Sequence, residues 1–218
     1  MDFLPRKIKK TREVLRRAVE SWKPNIGLLW TTEIGSTVAL YLTRGIFRDV
    51  PVLFVDTTLH FDETYEYRDR LVQLWGLNLT IVTPRGGYNQ VKEDREECCR
   101  LLKSEPMLRK MRDVGLEALI VGSIWNQNPG SSEEDYFSEV DGTGIWPHQI
   151  VRPVLHWREA DLWTFVKTRN IPYSPLYDRG YEIIDCEPCS GRKTIPQGGK
   201  SEENTRKILE RLRALGYF

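Results

Sequence analysis

The chain has 218 residues, of which 40% are hydrophobic and 29% are charged, which is an ordinary composition for a globular protein of one generous domain. The formal net charge is +1, so no overall field points to nucleic acid or a membrane surface as a partner. The sequence contains neither an apolar run of about 18 residues, as a spanning helix needs, nor the apolar stretch of a signal peptide. We therefore expect a cytoplasmic protein.

The first half of the chain alternates amphipathic stretches with short apolar runs. Apolar residues at helical spacing predict helices, and the apolar runs are typical of buried parallel strands. This order predicts an α/β fold with a doubly wound, mostly parallel, Rossmann-like sheet. The helices are predicted over 6–22, 38–44 and 61–75, and the strands over 26–30, 50–56 and 79–84.

The second half continues with less regular elements. A helix carries the first two cysteines and continues past Lys103, and another follows Pro106. The stretch 127–144 is rich in Gly, Ser, Asp and Glu and is predicted to be a loop. Pro153 lies in an apolar run, which predicts an edge strand. The remaining elements are strands at 116–122 and 150–154, a helix at 156–167 and an amphipathic helix at 202–215.

These patterns divide the chain into three segments. We expect an N-terminal basic helix over 1–23 and a nucleotide-binding α/β domain over 24–195. A flexible stretch with a last helix is expected over 196–218. The basic face of the first helix is interpreted as solvated, because exposed charge is its simplest explanation.

A small-residue loop between the first strand and the next helix is the first candidate site. Backbone N–H groups and a helix N-terminus in this geometry bind phosphate. Such a turn can also be a simple connection, and its tryptophan can be a core residue. The candidate nucleotide-binding residues are Trp30, Thr31, Thr32, Gly35, Ser36 and Thr37.

Two further strands end in candidate ligand-binding residues. Asp56 and Thr57 follow the second strand, and a carboxylate there can contact a ribose or a base. The alternative is that Asp56 only caps a turn or a helix. Phe61 begins the next helix and Gly122 ends the fourth strand, and both are assigned to the nucleotide site.

The four cysteines suggest metal chemistry. Cys98 and Cys99 are adjacent among charged residues, and Cys186 and Cys189 form a C-x-x-C. Soft thiolates select zinc, copper(I) or iron–sulfur clusters. Adjacent thiolates suit a cluster, which offers each sulfur its own iron, better than one tetrahedral zinc ion. Zinc and free redox thiols remain the alternatives.

The order of these motifs resembles the phosphoadenosine-phosphosulfate (PAPS) and adenosine-phosphosulfate (APS) reductase family. The resemblance is carried by V-R-P-V-L-H-W-R-E-A-D-L-W at 151–163, I-P-Y-S-P-L-Y-D-R-G-Y at 171–181 and V-D-T-T-L-H-F-D-E-T-Y at 55–65. It covers about residues 20–195. It implies an adenine-nucleotide α-hydrolase-like fold that binds an adenine nucleotide or sulfonucleotide.

The resemblance also implies a cofactor. A cysteine pair and a C-x-x-C with 86 residues between them are similar to the signature of the APS-reductase subgroup. This implies a [4Fe–4S] cluster on Cys98, Cys99, Cys186 and Cys189. The subgroup places a lysine shortly after the pair, and Lys103 matches it as a cation that would tune the cluster.

Three features depart from the family pattern. No cysteine follows Cys189, whereas the family carries its catalytic cysteine in an E-C-G-x-H tail. The loop T-T-E-I-G-S at 31–36 lacks the Lys and Asp of the related S-G-G-K-D-S loop, so we do not expect ATP cleavage. The stretch 122–125 lacks the arginines that hold the sulfate end in the family. Candidate replacements are Arg152, Arg179, Arg192 and Lys193.

Three hypotheses follow. The first is an iron–sulfur enzyme that reduces APS or PAPS to sulfite with an external thiol or a thioredoxin-like or electron-donor partner. The second is an ATP-dependent sulfurtransferase or thiolation enzyme, and the third is a non-catalytic nucleotide-binding or redox cluster protein. A homodimer is compatible with each, and neither nucleic acid nor a membrane is an expected partner.

Overall fold

Short apolar strands build one six-stranded sheet at the centre of the protein, whose computed structural model describes residues 4–85, 94–124, 135–142 and 145–192. The strands are β1 (Ile26–Leu29), β2 (Val52–Val55), β3 (Leu79–Val82), β4 (Ala118–Ile120), β5 (Phe137–Val140) and β6 (His148–Val151). Every side chain of β1, β2 and β4 is buried, as expected of strands that helices cover on both faces.

The strand order is β3-β2-β1-β4-β6-β5, and all neighbours are parallel except β5, which runs antiparallel to β6 at the edge. The chain builds outward from β1 to β3 and then returns to β4 on the other side of β1. The predicted doubly wound, mostly parallel α/β fold is therefore confirmed. Open sheets of this kind bind ligands at the carboxyl ends of the strands where the order reverses, which here is between β1 and β4.

Helices cover the two faces of this sheet. Helices α1, α2, α3 and α6 share one hydrophobic cluster with the sheet, and α4 and α5 contribute to the cluster on the opposite face. A π-helical segment joins α4 directly to α5. The bounds are α1 (Leu4–Trp22), α2 (Ile34–Arg44), α3 (Asp62–Trp75), α4 (Arg95–Cys99), the π-helix (Arg100–Ser104), α5 (Glu105–Val114) and α6 (Glu159–Thr168).

The N-terminal helix α1 is anchored to the layer that contains α6. The hydroxyl of Thr11 donates to the Pro153 carbonyl (2.7 Å) and accepts from Trp157 Nε1 (3.0 Å). Lys7 Nζ lies 2.5 Å from a carboxylate oxygen of Asp161. The buried stripe of α1 consists of Thr11, Val14, Leu15 and Ala18. The predicted division of the chain at 23 and 195 stays a prediction.

Three local predictions are wrong. Strand β6 is not at an edge, because β5 pairs with it within the stretch 127–144 that we predicted to be a loop. Pro153 follows the end of β6 and costs it no hydrogen bond. Helix α2 begins at Ile34, four residues before its predicted start at 38. The predicted helix at 202–215 lies outside the described residues.

A small hairpin follows the main sheet. Strands β7 (Tyr181–Ile183) and β8 (Gly191–Arg192) pair antiparallel, and the C-x-x-C lies between them in a 3₁₀ turn, Glu187–Cys189. Within the described parts of the chain, none of the helices has both the length and the apolar character that crossing a membrane requires.

Two glycines bring the end of β4 against the start of α2. A Cβ atom on Gly35 would lie under 3.0 Å from the carbonyl oxygen of Gly122, and one on Gly122 would overlap the backbone of Ser36 in the same way. Backbone atoms form the obstacle in both cases, so no side chain can move aside. This close approach packs the end of β4 against the first turn of α2, at the point where the strand order reverses. It therefore fixes where α2 begins.

We predict that Gly35→Ala lowers the free energy of unfolding by about 3 kcal/mol or more, because the new methyl group forces β4 and α2 apart. Urea unfolding measures this difference. Gly45→Ala is the matched control, because Gly45 follows α2 in a right-handed conformation with its nearest obstacle at 3.3 Å. Equal losses in the two variants would contradict the packing role.

Candidate functional site

The loop between β1 and α2 is held by its own hydroxyl groups. Thr31 Oγ1 donates to Glu33 Oε2 (3.2 Å), and Ser36 Oγ accepts from the Thr31 N–H (3.2 Å). The Ser36 hydroxyl in turn donates to the Glu33 carbonyl (2.9 Å). Glu33 is the extended residue that precedes the first turn of α2. The loop is therefore preorganised, with a carboxylate at the helix N-terminus.

A tyrosine occupies part of this helix N-terminus. The Ile34 N–H donates to Tyr177 Oη at 2.9 Å. Burial, together with the nearby Glu33 carboxylate, raises the pKa of the Tyr177 phenol above its ordinary value, so the phenol stays protonated. Tyr177 comes from the I-P-Y-S-P-L-Y stretch that carried the family resemblance. An anion bound at this end of α2 would have to share it with the tyrosine.

The other loop residues that the sequence assigned to the nucleotide stabilise the loop from the core side. Trp30 is fully buried and its Nε1 donates to Thr37 Oγ1 (3.1 Å), which is also buried. Thr32 is buried at a φ of 66°, a conformation that β-branched residues rarely adopt. Gly35 and Gly122 form the close approach described above. These residues shape the crevice, and direct contact of each with a nucleotide stays a prediction.

Asp56 lies at the end of β2 in a network of its own. Its Oδ1 accepts from the Thr58 N–H (2.8 Å) and from Tyr65 Oη (2.9 Å). Arg68 Nη1 lies 3.9 Å from its other oxygen, and this buried guanidinium also lies over the rings of Phe54 and Tyr65. Asp56 therefore organises the loop after β2. Its predicted contact with a ribose or base stays a prediction.

Thr57 faces the cysteines. Its side chain is buried, and Thr57 Oγ1 lies 3.0 Å from Cys186 Sγ. The Glu187 N–H donates to the Leu59 carbonyl (2.7 Å), so the loop after β2 and the C-x-x-C turn are joined by two bonds. The sequence assigned Thr57 to the nucleotide, whereas the structure places its hydroxyl against a thiol.

The thiols from the two motifs meet around Lys103. Lys103 follows the cysteine pair in the π-helix, is 7% exposed and forms an ion pair with Asp185, the residue before Cys186. Burial raises the pKa of the Cys99 thiol and that of Cys186, the latter to about 11, and the Lys103 ammonium partly offsets both shifts.

All four cysteines are free thiols, with Cys99 and Cys186 buried and Cys98 and Cys189 half-buried. Among the described residues, no three His, Cys, Asp or Glu side chains are arranged to hold one metal ion. The thiolates that hold a cluster need not converge on one point, because each of them binds a separate iron. Buried thiols beside an ammonium group suit a ligand that takes them as thiolates, and so the residues present fit a cluster.

The pKa of Glu33 responds to the charges of Asp185 and Lys103, which lie next to the cysteine motifs. Burial, followed by the charge of Asp185, raises the pKa of Glu33 from 4.5 to about 7, while the Thr31 hydroxyl and Lys103 oppose the rise. Burial alone would raise the pKa of Asp185, but the Lys103 ammonium lowers it below its ordinary value. The three side chains form a polar group that sequence reasoning identified only at Lys103.

A cleft of about 280 Å³ lies where the start of α3 meets the C-x-x-C turn. His60, Phe61 and Glu187 are among its lining residues, which places the predicted Phe61 on its wall. Arg179 also lines it and forms an ion pair with Glu63. This volume is slightly below the usual range of small-molecule sites.

Arg152 is one of the candidate replacements for the missing arginines. It is buried and donates to Ser138 Oγ (2.5 Å) in the neighbouring strand β5. The side chain of Arg192 and all of Lys193 lie outside the described residues. Sequence reasoning missed Glu33, Tyr177 and Asp185. In the sequence, the only feature that could have indicated these residues is that each lies within or next to a recognised motif.

The fold and these residues define a class: a doubly wound α/β protein in which a C-x-x-C turn packs against the loop after the second strand. Residues 25–192 match the family model described as phosphoadenosine phosphosulfate reductase domain. The chain belongs to this family.

Sequence relatives support the same family, and solved structures support the same fold. The adenosine 5'-phosphosulfate reductase of Geobacillus sp. (strain WCH70) is 28% identical over 199 residues, which cover 87% of this chain and 83% of that protein. PAPS reductase from Candida auris has a TM-score of 0.71 at 22% identity and covers 86% of this chain and 96% of its own. The U34-tRNA thiolase NcsA from Methanococcus maripaludis, solved with its [4Fe-4S] cluster, has a TM-score of 0.60 at 12% identity, covering 95% and 72%. At these identities the two structures show the shared fold.

We predict that Thr58→Gly raises the free energy of unfolding by about 1 kcal/mol. Thr58 has a φ of 64°, which strains a β-branched residue and costs glycine nothing. Thr80→Gly in β3 is the control and should destabilise the protein, because extended backbone gives glycine no advantage there. A loss of stability in Thr58→Gly would contradict the strain.

We also predict that Glu33→Gln stabilises the protein at pH 8 and has little effect at pH 5. The folded state raises the pKa of Glu33 from 4.5 to about 7, so its stabilising contribution is complete below the unfolded pKa and is lost as pH rises through 7. The difference at pH 8 should be on the order of 2 kcal/mol. Urea unfolding at both pH values measures it, and a pH-independent difference would contradict the shift.

Proposed function

We propose that this protein is an iron–sulfur enzyme of the sulfonucleotide reductase type. It binds an adenylyl sulfonucleotide, APS or PAPS, in the crevice between β1 and β4 and releases sulfite with electrons from an external thiol. In the overall reaction two thiols become a disulfide while the sulfonucleotide is split into sulfite and the adenine nucleotide. Membership of the family supports this reaction class.

The observation that carries the proposal is the meeting of two distant cysteine motifs at one buried lysine. Cys98 and Cys99 come from α4, Cys186 and Cys189 come from the 3₁₀ turn, and Lys103 is paired with Asp185 between them. We assign a [4Fe–4S] cluster to these four cysteines. When bound, the cluster would supply an electron-rich centre on these thiolates. Lys103 would place a positive charge beside the cysteines that hold it.

The nucleotide is assigned to the predicted loop residues and to the ends of β2 and β4. The hydroxyl groups of Thr31 and Ser36 and the N-terminus of α2 suit an anionic phosphate group. Trp30, Thr37 and the two packed glycines hold that loop in place. Asp56, at the end of β2, and Phe61, just before α3, are assigned to the same nucleotide.

The thiol comes from outside these 218 residues in this proposal, because all four of their cysteines are assigned to the cluster. A small dithiol or a thioredoxin-like protein can supply it, and a reducing cytoplasm is the compartment in which both thiols and cluster persist. A non-catalytic nucleotide-binding cluster protein is the second candidate. It is favoured by the tyrosine that already occupies the start of α2.

The test is anaerobic. Protein reconstituted with iron and sulfide is incubated with APS or PAPS and a dithiol, and the release of sulfite and of the nucleotide is followed against a no-protein control. We expect about four irons and four sulfides per chain and release that depends on the cluster. A loaded protein that binds nucleotide without releasing sulfite would favour the second candidate, and a protein that holds only zinc would overturn the cluster.

We predict that Thr57→Val retains the iron but lowers its midpoint reduction potential. The Thr57 hydroxyl lies 3.0 Å from Cys186 Sγ, and hydrogen bonds to ligand sulfurs stabilise the reduced state of a cluster. Thr57→Ser keeps the hydroxyl and is the matched control. Anaerobic redox titration gives the potentials, and identical values for the two variants would contradict this role.

A further inference from the structure

Three cations of α1 lie at the carboxyl edge of the sheet. Only residues 23–25 separate the end of α1 from the start of β1, so the helix begins at the carboxyl edge and ends at the amino edge. The Thr11 hydroxyl donates to the carbonyl of Pro153, two residues beyond the end of β6 (2.7 Å). The residues before Thr11 therefore lie at or beyond this edge. Arg6, Lys9 and Lys10 are exposed there, and we call them the rim cluster.

The rim cluster is held firmly against the body of the protein. Lys7, in the same part of α1, bonds to Asp161 in the first turn of α6 (2.5 Å). The Lys10 ammonium lies 5.4 Å from the ring centroid of Tyr136, the residue before β5. Strand β6 is the neighbour of β4, and the end of β4 borders the crevice. The cluster is therefore fixed beside the strand next to the crevice, on the edge where a ligand enters.

The placement of this charge opposes the stability of the helix. Helix α1 contains seven Lys or Arg and two Glu, so its formal charge is +5, whereas the whole chain carries +1 and the rest of it −4. The first turn has no acidic residue and the last turn has no basic one, which is the reverse of what the helix dipole favours. None of the rim cluster forms an ion pair with a described carboxylate. Charge that opposes local stability is a sign of function.

The crevice itself offers little positive charge to an anion. The loop at 31–37 contains one Glu and no Lys or Arg, and the stretch 122–125 lacks the arginines of the family pattern. Asp56 and Asp185 add carboxylates at the same edge, and each of them already lies beside one cation, Arg68 at 3.9 Å and Lys103 respectively. An anionic ligand therefore needs attraction from charges outside the crevice.

We propose that the rim cluster attracts the anionic sulfonucleotide to the crevice by long-range electrostatics and does not contact it once it is bound. This inference rests on the proposed function, which assigns a sulfonucleotide to the crevice. Cations beside a cleft raise the local concentration of an anion and its association rate. Their range is set by the Debye length, about 10 Å at 0.1 M salt. The cluster responds to the charge of the ligand, so phosphorylated nucleotides are attracted and adenosine is not.

The experiment reverses the three charges together in the reconstituted full chain, as Arg6→Glu, Lys9→Glu and Lys10→Glu. Stopped-flow fluorescence gives kon and koff for N-methylanthraniloyl derivatives of ADP and of adenosine. At about 20 mM salt the variant should bind the ADP derivative about tenfold more slowly, with koff changed less than about twofold. The adenosine derivative should be unaffected. At about 300 mM salt, wild type and variant should converge because the charges are screened.

APS is tested without a label, by displacement of the fluorescent ADP derivative. Its affinity at low salt should fall by about the same tenfold as the association rate, because only the approach of the anion changes. The same comparison at high salt should show no difference between wild type and variant.

Two controls isolate the position of the charges. Lys23→Glu, Arg48→Glu and Arg112→Glu, combined, reverse three exposed charges at the amino edge of the sheet, next to the ends of α1, α2 and α5. This variant should bind the ADP derivative like wild type to within about twofold, since its charges lie beyond a Debye length of the opposite edge. The rim variant should unfold in urea at the same or a higher concentration than wild type, because glutamates suit the start of a helix.

The outcomes separate this inference from the proposed function. If wild type binds neither APS nor the ADP derivative, the proposed function fails and the inference fails with it. If wild type binds both and the rim variant keeps its kon and its salt dependence, the inference alone is overturned. It is also overturned if the loss lies in koff, or if adenosine is slowed equally, because the cluster then contacts the ligand or shapes its site.

Discussion

The ion pair between Lys103 and Asp185 is the interaction on which the site depends. It joins the π-helix after the cysteine pair to the residue that precedes the C-x-x-C, across 82 positions of sequence. Lys103 is almost fully buried, so removing either partner would leave a charge without compensation, which is usually costly. The pair therefore aligns the two cysteine segments. Lys103 lies in the π-helix that directly follows the cysteine pair.

The close approach of β4 and α2 provides the second constraint. It needs glycine at both positions, and it sets the entrance of α2 at the point where the sheet reverses its order. The buried Trp30, bonded to Thr37, holds the same loop from the core side. Because the loop is fixed from two directions, Glu33 stays oriented in spite of its unfavourable burial. Packing energy thus keeps a carboxylate in an environment that raises its pKa.

The fold could be predicted from sequence because its information is local: apolar runs, helical periodicity and their alternation. The cysteine motifs and Lys103 were also recognised, since their residue types are rare and their spacing is specific. The prediction of an edge strand failed because it treated Pro153 as part of a strand that ends at Val151. The roles of Glu33, Tyr177 and Asp185 were not predictable, because each follows from contacts between segments that are distant in the chain. Glutamate in a loop normally indicates solvent exposure, and only the fold reveals its burial.

The charges around the crevice connect this arrangement to chemistry. The charges of Lys103 and Asp185 offset each other, and Glu33 adds a negative charge near this pair when it is ionised. An ionised Glu33 would repel a phosphosulfate, and the chain lacks the arginines with which the family pattern compensates at 122–125. A carboxylate whose pKa is near 7 weakens this conflict, since about half of it is neutral at that pH.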